Sequence, residues 1–342
     1  MKRLFVLICV IGMMFVTACS KQSANQVEEV VETPVVSATP EVMTPELEYY
    51  NKMQTDSRPI AVMIDNDSDK ARPQLGLESA DVVYEIIVEG GATRFMALFK
   101  GNDLEKVGPI RSSRHYFLDY ALEHDAIYTH AGWSPKASKD ISSFGVNNIN
   151  GILGTDGKIF WRDKTYDKTW HNLYTGLDKV HEMAVSTKQY SDKTDVKHLE
   201  YYKEDTELGT ETLVNKIKLP YSAKYSVSYE YDPESKMYKR FVNSKEHMSQ
   251  TGDCIKVKNI IVYKVENVAL NDGENKGRQD LKNVGSGTGY YITNGKVVDI
   301  NWSKSSRTAK TVYTLADGTN LTVNPGNTYI QILPMNSNIT FE

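Results

Sequence analysis

The stretch Asp81-Val-Val-Tyr-Glu85-Ile-Ile-Val-Glu89-Gly-Gly-Ala-Thr-Arg94-Phe-Met-Ala-Leu-Phe99, followed by Gly108-Pro-Ile-Arg111-Ser-Ser-Arg114-His115, organises the reading of this chain. It reads as a hairpin, a return strand and a helix start. Strand side chains alternate between faces, so Glu85, Ile87 and Glu89 share one side and Val82, Tyr84, Ile86 and Val88 the other. Gly90-Gly91 is a turn signal, and a hairpin loop of even length would bring Arg94 onto the side of Glu85 and Glu89. A loop of odd length would turn it away. Ser112 or Ser113 suits an N-cap for a short helix from His115 to Glu123. Arg111 and Arg114 then flank a helix N-terminus, where the partial positive charge repels them unless an anion is shared. That anion is either internal, from Glu85, Glu89 or Asp119, or a bound carboxylate or phosphate.

The length of 342 residues accommodates about two domains. A composition of 40% hydrophobic and 25% charged residues is that of a globular chain, and a net charge of −4 leaves no basic footprint for nucleic acid. Residues 1–19 read as an export signal: Lys2 and Arg3 precede an apolar run from Leu4 to Val16, and Val16-Thr17-Ala18-Cys19 places small residues before a cysteine. This pattern resembles the bacterial lipoprotein signal, which implies that Cys19 is diacylated and holds the chain on the outer face of the cell membrane. With Cys9 removed and Cys19 lipidated, Cys254 remains alone and no intrachain disulfide is available.

Residues 20–54, rich in Val, Thr, Pro, Glu and Ser, read as a disordered tether spanning on the order of 30 Å. Residues 55–185 read as an α/β domain with a mixed sheet. Arg58-Pro-Ile-Ala-Val-Met-Ile-Asp65 is an apolar run suited to a strand covered on both faces. Asp65, Asp67 and Asp69 alternate as at the start of a calcium loop, but Lys70 and Gly76 stand where the turn glycine and the bidentate Glu are needed, so the acids read as a turn. Ala126 to His130 forms a further strand, and Ser134-Pro135 caps and opens a second helix through about Phe144. Loops after such strands place Arg111, Arg114 and His130 on one rim. A third helix is expected to start at Thr175. Residues 186–212 read as a charged connector. From 213 to 342, short alternating runs separated by Asn271-Asp-Gly, Asn294-Gly295, Asp317-Gly318 and Asn324-Pro-Gly326 read as a mainly β, sandwich- or barrel-like domain.

Gly285-Ser-Gly287-Thr-Gly289 lacks the helix and the Lys-Ser/Thr ending of a phosphate loop, and Gly132-Trp-Ser134-Pro135 lacks the trailing glycine of a nucleophile elbow. The seven histidines show no zinc spacing, so neither a metal nor a cofactor is expected. His130 and His171 remain as acid–base candidates beside the arginines.

The motifs Ala71-Arg-Pro-Gln, Ala80-Asp-Val-Val-Tyr-Glu85, Val88-Glu-Gly-Gly-Ala-Thr-Arg-Phe95, Gly108-Pro-Ile-Arg-Ser-Ser-Arg114, Tyr128-Thr-His-Ala-Gly132, Phe160-Trp-Arg162 and His171-Asn-Leu-Tyr174 resemble the YerB-like bacterial lipoproteins. The likeness continues through Val284-Gly-Ser-Gly287, Trp302-Ser-Lys304 and Asn324-Pro-Gly326. It implies a two-part extracytoplasmic lipoprotein of Gram-positive bacteria, and it carries no activity. Trp170 stands where the family usually has a proline before His171. A fainter likeness, from Arg94 to about Trp133, is to the LytR-CpsA-Psr phosphotransferases of wall assembly, but Ser112 follows Arg111 where that family has an Arg-Asp pair.

The resulting expectation is a lipoprotein that binds an anionic wall precursor or envelope protein through Arg94, Arg111, Arg114, Arg162, His130 and His171. Glu85, Glu89 and Asp119 are the acidic partners, and Tyr116, Trp133 and Trp161 the walls. The alternatives are a phosphotransferase or hydrolase of polyprenyl-phosphate-linked precursors, and an envelope scaffold without a small-molecule site.

Overall fold

The computed structural model describes residues 42–342 apart from Asn102 and Glu211, so the export signal and Cys19 lie outside the described residues. The apolar run at Ile60–Asn66 forms strand β1, buried along its whole length. It lies in a ten-stranded sheet with β2 (Val82–Ile87), β3 (Thr93–Phe99), β4 (Ile127–His130) and β5 (Asn148–Asn150), in the order β2-β3-β1-β4-β5. β1 pairs antiparallel with β3 and parallel with β4. The other five strands come from the C-terminal half. Thr328–Pro334 lies parallel to β2, and Asn259–Val265, Gly285–Thr293, Lys296–Lys304 and Val312–Leu315 follow outward from it. Thr328–Pro334 is buried throughout, as a strand with both faces covered must be.

One face of this sheet is covered by helix α2 (His115–Glu123), whose Tyr116, Phe117 and Tyr120 pack with Met63, Tyr84 and Met96. Against the other face lies a six-stranded sheet that includes Lys216–Pro220, Ser226–Asp232 and Met237–Val242. Its alternating burial presents Ile217, Leu219, Tyr229 and Tyr238 to Val62, Ile64, Val83 and Phe95. The first half is therefore α/β and the second rich in strands, as the sequence indicates. The sandwich, however, forms between the halves, because the C-terminal strands divide between the two sheets.

Three local expectations are corrected. The reading of 20–54 as tether fails at its end, since Pro45–Gln54 forms helix α1. Thr44 Oγ1 accepts the Leu47 N–H at 3.2 Å, and Lys52 reaches Asp81 at 2.5 Å. Arg114, not Ser112 or Ser113, occupies the N-cap of α2, without a side-chain cap. Thr175 closes a short strand, and the helix after it begins at Leu177. Ser134 does cap helix α3 (Pro135–Ser143), accepting the Ala137 N–H at 3.3 Å. Among the described residues no helix is long and apolar enough to cross a membrane.

Candidate functional site

The hairpin register decides where the charges go. Residues 88–92 separate β2 from β3, with Gly90 and Gly91 at φ 69° and 76°, and this odd loop pairs Ile86 with Arg94 and Glu85 with Phe95. Arg94 therefore faces away from Glu85, contrary to expectation, and lies opposite Asp65 of β1. Glu85 points between the two sheets. There it accepts hydrogen bonds from Arg240 Nη2 at 2.8 Å, Tyr225 Oη at 2.7 Å and Thr93 Oγ1 at 2.7 Å, sealed from solvent.

On the opposite face the arginines gather at the end of β1. Arg94, 2% exposed, donates from Nη2 to Asp67 Oδ1 and Oδ2 at 3.0 and 3.2 Å and from Nη1 to the Ser112 carbonyl at 2.6 Å. The segment before α2 is held by backbone bonds from Asp65 N to the Pro109 carbonyl (2.8 Å) and from Arg111 N to the Met63 carbonyl (2.9 Å). It brings Arg111 Nη2 to 3.0 Å from Asp67 Oδ2 and Nε to 3.2 Å from Asp65 Oδ2. Arg114 binds Glu89 bidentately, at 2.5 and 3.0 Å. From the C-terminal half, Arg278 pairs with Asp272 and Glu274 and lies 4.0 Å from Glu89, while Lys276 pairs with Glu274 at 3.0 Å.

These five cations, with Asp67, Glu89 and Ser112, line an open cleft of about 270 Å³. Burial raises the Asp67 carboxyl, but Arg94 and Arg111 more than offset this and hold it below its ordinary value. Burial acts likewise on Glu89, and Arg114 draws it below the ordinary range. Burial disfavours the Arg94 cation, yet Asp67, Asp65 and Glu89 together raise its pKa.

The remaining candidates are dispersed. Arg162 is exposed and donates to Asn172 Oδ1 at 2.7 Å, outside the cleft lining. His130 is buried between the Gly132 carbonyl (2.8 Å) and Asn148 Oδ1 (3.3 Å); burial pushes its pKa down to about 4, so it is a neutral structural ring. Asp119 meets Arg307 and Asn283 and is raised by burial, away from the cleft. Tyr116 bonds the Ile87 carbonyl and Trp133 packs on His130; neither they nor Trp161 line the cleft. His171 does join the cluster. Its Nδ1 is 2.6 Å from the buried Oδ2 of Asp65, and that hydrogen bond raises its pKa. The loop before it is built by Asp167, whose Oδ2 accepts the backbone N–H groups of Thr169, Trp170 and His171.

Sequence reading missed Asp67, Lys276 and Arg278. The alternation of Asp65, Asp67 and Asp69 after a buried strand was a usable signal for the first. Nothing local marks the other two, which arrive through tertiary contact.

Residues 44–191 match the N-terminal domain, and residues 217–330 the C-terminal domain, of the family described as protein of unknown function (DUF3048). A relative named "Putative lipoprotein YerB", from Bacillus subtilis (strain 168), is 32% identical over 284 residues, 82% of each chain. The chain belongs to the DUF3048 family. A crystal structure of YerB protein from Bacillus subtilis aligns with a TM-score of 0.72 at 30% identity, covering 84% of this chain and 95% of that one. The DUF3048 N-terminal match begins at residue 44, so it takes in α1. The two-part DUF3048 organisation is the one that the motifs implied.

Proposed function

We propose that this chain is an extracytoplasmic lipoprotein, held at the outer face of the cell membrane through a lipidated Cys19, that binds an anionic envelope ligand in the Arg111–Arg114–Arg278 cleft. The anchor is supported by the signal pattern before Cys19 and by the name of the Bacillus relative. The ligand reading rests on one observation: the two wall carboxylates are each shared, Asp67 between Arg94 and Arg111 and Glu89 between Arg114 and Arg278. Arg111 and Lys276, 31% and 65% exposed, thus offer donors to a phosphate or carboxylate entering the cleft. Arg94 is scaffold for the site, because its guanidinium is buried and committed to Asp67 and Ser112.

Calorimetric titration with inorganic pyrophosphate at low ionic strength tests the ligand reading. Saturable binding that weakens with salt and is lost in both Arg111→Ala and Arg114→Ala is expected. Heat that never saturates, or binding unchanged in both variants, rejects it. Cys19→Ser should release the protein from the membrane fraction; a variant that stays there refutes the anchor.

A further inference from the structure

The end of β1 carries a second arrangement that the arginine cleft does not use. Ser68 Oγ lies 3.3 Å from His171 Nε2, while His171 Nδ1 lies 2.6 Å from Asp65 Oδ2. Asp65 is fully buried and fixed from its other oxygen, which accepts the Asp67 N–H at 3.0 Å. Its second oxygen therefore holds the imidazole with Nδ1 protonated and the Nε2 lone pair directed at the serine. Ser68 is partly exposed and begins the single turn Asp69–Ala71, with Oγ also accepting the Lys70 N–H at 3.3 Å. The hydroxyl can thus donate to His171 while it accepts from the backbone. Three residues from two distant segments take up the order and polarity of a nucleophile, a base and an orienting acid.

We infer that Ser68, His171 and Asp65 form an acyl-transfer centre that hydrolyses carboxylic esters. Ser68 Oγ attacks the ester carbonyl carbon as its proton passes to His171 Nε2. The carbon–alkoxide bond then breaks, and the alcohol departs with that proton, leaving acyl-Ser68. Water gives a proton to His171 and its oxygen to the acyl carbon. Ser68 leaves and recovers the proton, so the sum is ester plus water to acid plus alcohol. Ser68 and His171 are the catalytic residues. Asp65 is a positioning residue that acts through the imidazole. Arg111 Nε shares Asp65 Oδ2 with His171, so the serine stands at the edge of the cationic cleft. An ester bearing a carboxylate or phosphate is the substrate class that fits both features; only that anionic preference rests on the proposed ligand reading.

The test treats the full-length protein in detergent with a fluorophosphonate and maps the adduct by mass spectrometry. A single adduct on Ser68 is expected, absent from Ser68→Ala and from Ser68→Asn, which retains a capping side chain, and formed at least about tenfold more slowly in His171→Gln. The groups facing the imidazole are Asp65, Ser68, Arg111 and Asp167. The labelling rate should rise with pH as the ring loses its proton, with the inflection moving to lower pH in Asp65→Asn. No adduct, an adduct that persists in both Ser68 variants, or a pH profile unmoved by Asp65→Asn overturns the inference. A parallel assay compares p-nitrophenyl acetate with the mono-p-nitrophenyl ester of succinate. Turnover of both at equal efficiency keeps the serine chemistry and rejects the anionic preference; turnover of neither rejects the hydrolase.

Discussion

Replacing Arg94 and Arg111 separately by methionine distinguishes scaffold from binding surface, because the two guanidiniums grip the same carboxylate from different environments. Arg94 is buried and also holds the Ser112 carbonyl. Breaking such a pair generally costs about 3–5 kcal/mol. Asp67 keeps Arg111 and is 24% exposed, which puts the loss near the lower bound, about 3 kcal/mol. At roughly 2–4 °C per kcal/mol in a chain of this size, Arg94→Met should lower the melting temperature by about 6–12 °C. Arg111 is 31% exposed and its pair with the partly exposed Asp67 is worth at most about 1 kcal/mol, or roughly 2–4 °C, while the buried Asp65 keeps His171 as its partner when Arg111 is removed. The order reverses for ligand: pyrophosphate should still raise the melting temperature of Arg94→Met and fail to raise that of Arg111→Met. Circular dichroism melts with and without pyrophosphate measure both quantities. Equal destabilisation by the two substitutions, or a pyrophosphate response in Arg111→Met equal to the unsubstituted protein's, would refute the reasoning.

Arg240→Met should strand Glu85 between the sheets and cost about 3–5 kcal/mol, whereas Glu85→Leu with Arg240→Met should recover most of the loss; chemical denaturation of the single and double variants measures this, and a double variant no better than the single contradicts it. The acid limb of stability should show two stages. His130, whose folded pKa of about 4 lies below that of a free imidazole, contributes stability present above about pH 6.5 and lost as pH falls toward 4. Asp67 and Glu89, held below ordinary carboxyls, contribute stability that is present above about pH 4 and lost below it. His171, raised by Asp65, adds stability below about pH 6.5 that is lost as pH rises through its folded value. Burial also lowers the pKa of His115, His124 and His247, so melts from pH 8 to 3 repeated with His130→Gln should show the first stage reduced and not abolished; a first stage unchanged by the substitution rejects the share given to His130. Gly108→Ala should displace the segment that carries Arg111, because φ is 147° and a Cβ would stand 2.8 Å from the Leu173 carbonyl; a loss of about 1–3 kcal/mol in denaturation is expected, and a neutral outcome would show that the segment yields.

Much of the local structure was legible in the chain. The buried run at Ile60–Asn66, the turn at Gly90-Gly91 and the Ser134-Pro135 helix start are short-range patterns, and each formed where expected. The arginine segment was legible as well, since Arg94, Arg111 and Arg114 do converge. Their partners were not. One residue of loop parity moved Arg94 from Glu85 to Asp67, and Glu85 was taken by Arg240 from a strand far along the chain.

Alternation, caps and turn residues act over a few positions, so the sequence by itself determined the buried strands of the first half, helices α2 and α3 and the presence of a cationic cluster, but not helix α1. Only the tertiary structure decided which acid meets which base, that the C-terminal half continues the first half's sheet, and that His171 stands between Ser68 and Asp65. The reason is physical: a side chain's face is set by local period, but its partner is set by register and sheet order, which depend on how the whole chain buries its apolar surface.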